Sequence, residues 1–586
     1  MLRLFKYLRT KEWIMAGAGL LFIVAGVWLD LKLPDYMSEI TRLVQTEGSA
    51  MTDIWRNGLY MLLCALGSLV TTVAVGFLAS RIGAAFSQKL RSELFNRVDS
   101  FSMGEINKFS TASLITRSTL DVTQVQMIVT MGLQLIVKAP ILAVWAIIKI
   151  SGKGFEWTLA TTVAIAVLLV MFVLVIILVM PRFKKMQTLT DQINRIAREN
   201  LTGLPVVRAY NAEAYQEAKF EKANAELTET HLFTSRAMAV VMPVMGFIMS
   251  GLSMAVYGIG AVLINNAGVA ERLTLFSNMV VFSAYSMQII MAFMMITMLF
   301  VILPRAQVSA KRIGEVLDTV PSITDGAVTE GLDGLFGEIE FRHVSFKYPD
   351  AAEYVLQDVS FSAGRGETVA FIGSTGSGKS TLINLVPRFY DVTEGAVLVD
   401  GIDVRAYKLE ALYNKIGYVP QKAFMFSGSV ATNVAFGENG REEAAEADIK
   451  NAVAVAQGTD FVEKLDGAYS GTVARGGTNI SGGQKQRLSI ARAVCKSPEI
   501  YLFDDSFSAL DYKTDRALRT ALKKQVRGAT SMIVAQRIGT IMDADRIVVL
   551  DEGRVVGTGK HKELLETCAV YREIAYSQLS EEELSA

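Results

Sequence analysis

Between Thr158 and Met180 the chain runs for 23 residues without a charge. A helix needs about 20 apolar residues to cross the hydrocarbon of a bilayer, so this run has one natural home. Five other segments approach the same length and apolarity: 13–37, 57–80, 127–150, 239–265 and 274–303, the charge-free run lying within 157–180. All six fall in the first 303 of 586 residues. The expectation for this half is an all-α domain of six transmembrane helices. With 51% hydrophobic and 20% charged residues, the composition excludes disorder and is too apolar for an ordinary soluble enzyme.

The charges around these spans are unequal. The N-terminal tail and the loops 81–126 and 181–238 hold 4, 6 and 9 Lys/Arg, against 2, 2 and 1 in the short loops near 38–57, 149–156 and 265–273. Positive residues stay on the cytoplasmic side, which places the N-terminus and both long loops there. Both long loops read as helical. Ile82, Phe86, Leu90, Leu94 and Val98 recur at four-residue steps, and such extensions reach ~30 Å beyond the membrane, where something soluble must meet them.

Several residues inside or beside the spans ask for an account. Asp30, Lys32 and Asp35 flank Pro34, and Lys138 precedes Pro140. Such charges either pair and snorkel or line a wet cavity. Met287, Met291, Met294, Met295 and Met298 share one face of the sixth span, which suits either helix packing or contact with varied ligands. Trp13, Trp28, Trp55, Trp145 and Trp157 lie in or beside spans, and several fit interfacial belts.

The zero formal charge, from 58 basic and 58 acidic residues, hides a division. Residues 1–303 hold 26 basic and 19 acidic side chains, and the remainder holds 32 and 39. The balance argues against a nucleic-acid partner, which calls for a basic patch. Cys64, Cys495 and Cys568 are too scattered for a disulfide framework, and His231, His343 and His561 show no metal-ligand spacing. No removable signal peptide is evident.

The expected domain plan is a transmembrane domain over 1–318, a linker over 319–335 and a soluble domain over 336–586. Pro321, Gly326, Gly331 and Gly334 punctuate the linker. Beyond it, short apolar bursts such as Thr368–Gly373, Val397–Asp400, Ile500–Asp504, Ser531–Ala535 and Ile547–Asp551 alternate with helical stretches, as in an α/β domain with a buried sheet. The first burst runs into Gly373-Ser374-Thr375-Gly376-Ser377-Gly378-Lys379-Ser380-Thr381. This is a P-loop in its required setting, strand before and helix after. Its glycines let backbone N–H groups converge on phosphates, Lys379 neutralises them and Ser380 holds Mg²⁺. The strand Ile500–Asp504 ends in the carboxylate expected on the metal's other side.

Between these two lies Ile480-Ser481-Gly482-Gly483-Gln484. With it, the chain resembles the ABC transporters, specifically exporters in which six membrane helices are fused to one ABC ATPase domain. The resemblance covers nearly the whole chain. It implies ATP and Mg²⁺ as cofactors and a multi-pass protein of the cell (inner) membrane, its ATPase domain cytoplasmic. It implies that Tyr348 stacks on adenine and that Gln421 touches Mg²⁺ beside Ser380 and Asp504. The signature loop Ser481, Gly482, Gly483 and Gln484 caps ATP held by an opposite domain, and Ser508–Asp511 links the two ATP sites. Stretches near Glu105–Ile115 and Val207–Tyr215 look like coupling helices.

Two departures from the family pattern bear on mechanism. The glutamate that polarises the attacking water is replaced by Asp505, one methylene shorter, and a histidine near the γ-phosphate is replaced by Gln536. A misplacement of ~1 Å can cost ~100-fold in rate. Glutamine cannot become cationic. Arg475 also stands where a glutamate is usual. The chain thus resembles the degenerate-site subunit of heterodimeric bacterial multidrug exporters. That implies a second half-transporter and the lipid bilayer as partners and export of amphipathic compounds, drugs or lipids, out across the membrane. The alternatives are a nucleotide-gated or regulatory subunit and a homodimeric exporter with slow ATPase.

Overall fold

A computed structural model describes residues 2–46, 48–151, 154–437 and 444–579. The chain packs as two compact units, Met1–Val98 with Ala112–Thr319, and Asp99–Thr111 with Val320–Ala586.

A short 3-10 helix, Leu2–Tyr7, precedes eight helices: α1 (Thr10–Gln45), α2 (Met51–Asp99), α3 (Met103–Phe109), α4 (Thr111–Ile150), α5 (Phe155–Thr202), α6 (Leu204–Ala209), α7 (Glu213–Asn266) and α8 (Val269–Asp318). Among the described residues, the six longest are long and apolar enough to cross a membrane. Helices α2, α5 and α7 contain 49, 48 and 54 residues, or about 70–80 Å, so each carries a polar extension past its apolar part. The expected stripe on α2 is present: Ile82, Phe86, Leu90 and Leu94 are buried, and Val98 is half-buried at its end.

The spans are joined by polar contacts as well as apolar ones. Pro34 has no N–H to give to the carbonyl of Asp30, and Gln288 Nε2 of α8 supplies that donor at 3.2 Å. Tyr285 Oη, one turn away on α8, donates to Leu31 O at 2.7 Å and to Asp35 at 2.6 Å. Lys149 pairs with Asp35 at 2.7 Å and Lys138 with Asp30 at 3.3 Å, so the α1 carboxylates each meet a cation of α4. Lys138 ends a π-helical stretch, Leu133–Lys138, just before Pro140, where the missing N–H disrupts the regular ladder. Of the two readings open for Lys138, pairing is the one observed.

Among the tryptophans in or beside spans, Trp157 packs inside the unit. It is fully buried, its indole N–H donates to Val256 O at 3.0 Å and its ring tilts against Phe282. A buried Trp needs such a partner. At Gly260, next to the ring, a Cβ would collide with Met279 Sδ, so the glycine admits the close approach of Met279. Trp13, Trp28 and Trp55 are exposed. So are Met287, Met291 and Met298 of the methionine face, whereas Met294 packs on the core.

Among the described residues of the second unit, twelve strands follow in chain order: β1 (Ile339–Phe346), β2 (Leu356–Ala363), β3 (Thr368–Gly373), β4 (Glu394–Val399), β5 (Ile402–Asp403), β6 (Ile416–Val419), β7 (Gly428–Ser429), β8 (Thr472–Val473), β9 (Ile500–Asp504), β10 (Thr530–Val534), β11 (Arg546–Asp551) and β12 (Arg554–Gly559). Strands β2-β1-β4-β5 make an antiparallel sheet. The larger sheet has the order β12-β11-β3-β10-β9-β6, parallel except for β12. Its inner strands are buried on both faces, which explains their unbroken apolar runs. Residues expected in the linker lie on this unit: Gly326 N donates to Tyr407 O at 2.9 Å and Leu332 N to Asp400 O at 3.0 Å.

Candidate nucleotide site

Strands β6, β9, β10 and β3 are neighbours in the larger sheet, and all four point the same way. Each delivers a candidate residue where it ends: Gln421 just after β6, Asp504 and Asp505 at the end of β9, Gln536 just after β10, and the P-loop after β3. The carboxyl ends of parallel strands are the usual place for a ligand crevice in such sheets.

Gly373 to Thr381 form the turn into helix α9 (Lys379–Leu385). Gly376 and Gly378 have φ of 88° and 94°, a region that favours glycine, and a Cβ on Gly378 would lie 2.7 Å from Leu356 Cδ2. Ser374, Thr375 and Gly376 lie exposed or half-exposed at the mouth of the loop, while Ser377 is buried. Lys379 Nζ donates to Gly373 O at 2.9 Å, Ser374 O at 2.7 Å and Ser377 Oγ at 3.2 Å. Burial pushes its pKa down, offset in part by Asp505 and Asp504.

Ser380 Oγ donates to Asp504 Oδ1 at 2.7 Å, which brings together the two expected metal-side groups. Burial raises the Asp504 pKa. Asp505 sits beside it with φ of 46°, a strained conformation for a non-glycine residue. Its Oδ2 accepts from Gln536 Nε2 at 3.1 Å and more weakly from Gln421 Nε2 at 3.4 Å. Burial raises its pKa as well, against the hydrogen bonds that favour the charged form. The two departures from the family pattern are thus bonded to each other.

These groups fit ATP with Mg²⁺. The glycines leave the backbone open to phosphate oxygens, and a hydroxyl and a carboxylate offer the hard oxygen donors that Mg²⁺ prefers. Among the described residues no three His, Cys, Asp or Glu side chains converge to hold a metal by themselves. That suits an ion bound chiefly through nucleotide phosphates. When bound, the metal would be held by Ser380 and Asp504, with Gln421 nearby, and would neutralise phosphate charge.

Tyr348 is joined to the same loop, its hydroxyl 2.9 Å from Thr381 Oγ1. The signature lies apart. Ser481 caps helix α10 (Gly482–Lys496): its backbone N–H donates to Gln484 Oε1 at 2.8 Å and its Oγ accepts from Gln484 N at 3.3 Å. Ser481 and Gly482 are exposed, and among the described residues no hydrogen bond links Ser481–Gln484 to the P-loop. Arg475 is also exposed.

Comparison with known proteins fits this geometry. Residues 16–293 match the ABC transporter transmembrane region, and residues 356–508 match the ABC transporter ATPase family. An uncharacterized ABC transporter ATP-binding protein of Mycobacterium tuberculosis is 40% identical over 98% of this chain and 97% of its own length. The chain belongs to the ABC transporter family. Its build is that of the exporters, an N-terminal transmembrane domain fused to an ABC ATPase domain, and the transporter binds and hydrolyses ATP. An ATP-dependent lipid A-core flippase of Pseudomonas fluorescens is 31% identical to it over 88% of this chain and 84% of its own length. A bacterial Atm1-family ABC exporter solved with ATP bound shares the fold, with a TM-score of 0.81, 24% identity and coverage of 98% and 100% of the two chains.

Sequence reasoning missed parts of the transporter's site. Ser508 Oγ donates to the Asp505 carbonyl at 2.9 Å, and Arg537 donates to Ser508 O at 3.2 Å, so the strained Asp505 turn is tied on both sides. Tyr390 stands edge-on to Tyr348 with ring centroids 5.2 Å apart. The Ser508 contact is a local one within the turn, whereas nothing in the local sequence marks Arg537 or Tyr390, because their partners come from distant parts of the chain. Of the two expected coupling stretches, α3 packs with the ATPase unit, whereas α6 belongs to the first unit and leaves Val206 exposed, with Tyr210 exposed just beyond it.

Proposed function

We propose that this chain is one subunit of a heterodimeric ATP-driven exporter of amphipathic compounds, with lipids or drugs as the substrate class. Its own P-loop site binds ATP at Gly373–Thr381 and Tyr348, with Mg²⁺ at Ser380, Asp504 and Gln421, and turns it over slowly. Its signature residues Ser481–Gln484 complete the productive site on the partner's P-loop. The working parts are a transmembrane domain over 1–318, a linker over 319–335 and a cytoplasmic ATPase domain over 336–586.

The observation that carries this reading is the bond between Gln536 and Asp505. The carboxylate that would have to polarise water is short, desolvated and already engaged by an amide. An exposed, self-capped signature supports a role toward another chain, as does the uncovered apolar surface around Val206 and Tyr210. The exposed Met287, Met291 and Met298 offer adaptable apolar contact for amphipathic cargo. The named flippase relative acts on a lipid, which favours lipids within that class.

ATP hydrolysis by the purified chain, beside Asp505→Glu/Gln536→His, tests the reading. Near-silence in the wild type with ATP still bound, and a gain of about 100-fold in the double variant, is the expected result. Brisk turnover by the wild type alone would mean that Asp505 serves in catalysis and that a homodimer suffices.

A further inference from the structure

Helix α3 has no buried residue, yet it packs within the ATPase unit. Its start is fixed by a capping box in which Ser102 N donates to Glu105 Oε2 at 2.8 Å. Contacts with the rest of the unit hold it. Ser102 Oγ lies 3.1 Å from Ser322 Oγ, Asn107 Nδ2 donates to Tyr390 Oη at 3.3 Å, and Gly104 faces Pro349, the residue after Tyr348. The Tyr390 ring in turn stands at 88° to that of Tyr348, and Phe346 packs against both, 5.0 Å from Tyr348 and 5.6 Å from Tyr390. On its far side Tyr348 meets Thr381 of the P-loop.

We propose that Tyr390 is a positioning residue for Tyr348, and that through Asn107 it makes the grip on the nucleotide base depend on α3. The inference rests on the reading of Tyr348 as the ring that stacks on adenine. A ring used for stacking must be held in one plane, since otherwise binding has to order it. The P-loop end of Tyr348 is fixed by one hydroxyl contact, which leaves the ring plane to its two edge-on neighbours, Phe346 and Tyr390, and of these Tyr390 is the one tied to α3. Tyr390 is tethered at its own hydroxyl by a side chain of α3. The three groups form one continuous path from that helix to the base platform, separate from the phosphate cradle.

The test compares ATP with inorganic tripolyphosphate, which has no base, in equilibrium binding to the purified full-length chain. Tyr390→Leu removes the ring and should weaken ATP about 3- to 10-fold, the scale of one aromatic pair, with tripolyphosphate unchanged. Unchanged tripolyphosphate binding also shows that the variant is folded. Tyr390→Phe keeps the ring and loses the tether; it and Asn107→Ala should each weaken ATP about twofold, and the double variant no more than either alone. Equal loss for both ligands in Tyr390→Leu would make Tyr390 merely structural and overturn the proposal. So would normal ATP affinity in Tyr390→Leu when Tyr348→Ala binds ATP poorly. If Tyr348→Ala itself binds ATP normally, the stacking reading fails, and the relay falls with it.

Discussion

Asp505 combines three local features that rarely coincide: a left-handed backbone, a partly desolvated carboxylate and two amide donors on the same oxygen. Its pKa is raised by burial, so the folded state binds the proton more tightly than the unfolded chain does. Stability therefore falls as pH rises from the ordinary aspartate range, about 4, through the raised value. Asp505→Asn should then raise the thermal midpoint of the nucleotide-free protein at pH 7. The gain should fade as the pH falls through the raised value, where the wild-type carboxyl takes up its own proton. A midpoint unchanged or lowered at pH 7 would show that the two amide bonds outweigh desolvation. At Gly378 the constraint is steric. Gly378→Ala meets Leu356 at 2.7 Å in a backbone region hostile to alanine, so it should abolish ATP binding measured by equilibrium titration.

At the scale of elements, the membrane unit shows what one proline requires of its neighbours. Pro34 leaves the Asp30 carbonyl without its helical donor, and Gln288 of α8 replaces it. Gln288→Leu should destabilise the protein by about 1–3 kcal/mol, the cost of an unsatisfied buried acceptor. In a Pro34→Ala background, which restores the backbone N–H, the same substitution should cost little. Equal loss in both backgrounds, by thermal unfolding in detergent, would assign Gln288 another role. The Asp30–Lys138 pair invites a similar cycle. Lys138→Met alone strands a carboxylate and should lower the midpoint more than Asp30→Leu/Lys138→Met does, because replacing both charges removes the desolvation penalty. The spans themselves were legible because a run such as Thr158–Met180 can go nowhere else. The partners of their charges were open, since spacing along one helix says nothing about which helix lies opposite. The partner of Trp157 was open for the same reason: spacing does not reveal that the carbonyl of Val256 meets its indole.

For the whole molecule, the P-loop, the strand ending in Asp504 and the signature could all be read as local strings, and the sheet order gathers the first two at one edge. The signature is exposed and caps its own helix, with no hydrogen bond to the P-loop among the described residues, which in the proposed reading makes the chain a half-machine. The expected outcome is that the chain alone binds one ATP yet turns it over slowly. Co-expression with a half-transporter bearing the usual glutamate should raise turnover about 100-fold, measured as phosphate release. No acceleration with any such partner would favour a regulatory role.

The placement of α3 has a consequence for biosynthesis. Its residues, Asp99–Thr111, leave the ribosome about 200 residues before Val320, the first residue of the main body they join. During that interval four further spans must be threaded into the membrane while the Asn107 amide still has no Tyr390 to meet. The loop to be closed is long, but its entropy grows only with the logarithm of its length, so waiting costs little in stability. What it imposes is an order of events. If Tyr348 is the base platform, as proposed, it can be completed only after translation has passed Tyr390, with the membrane half already made.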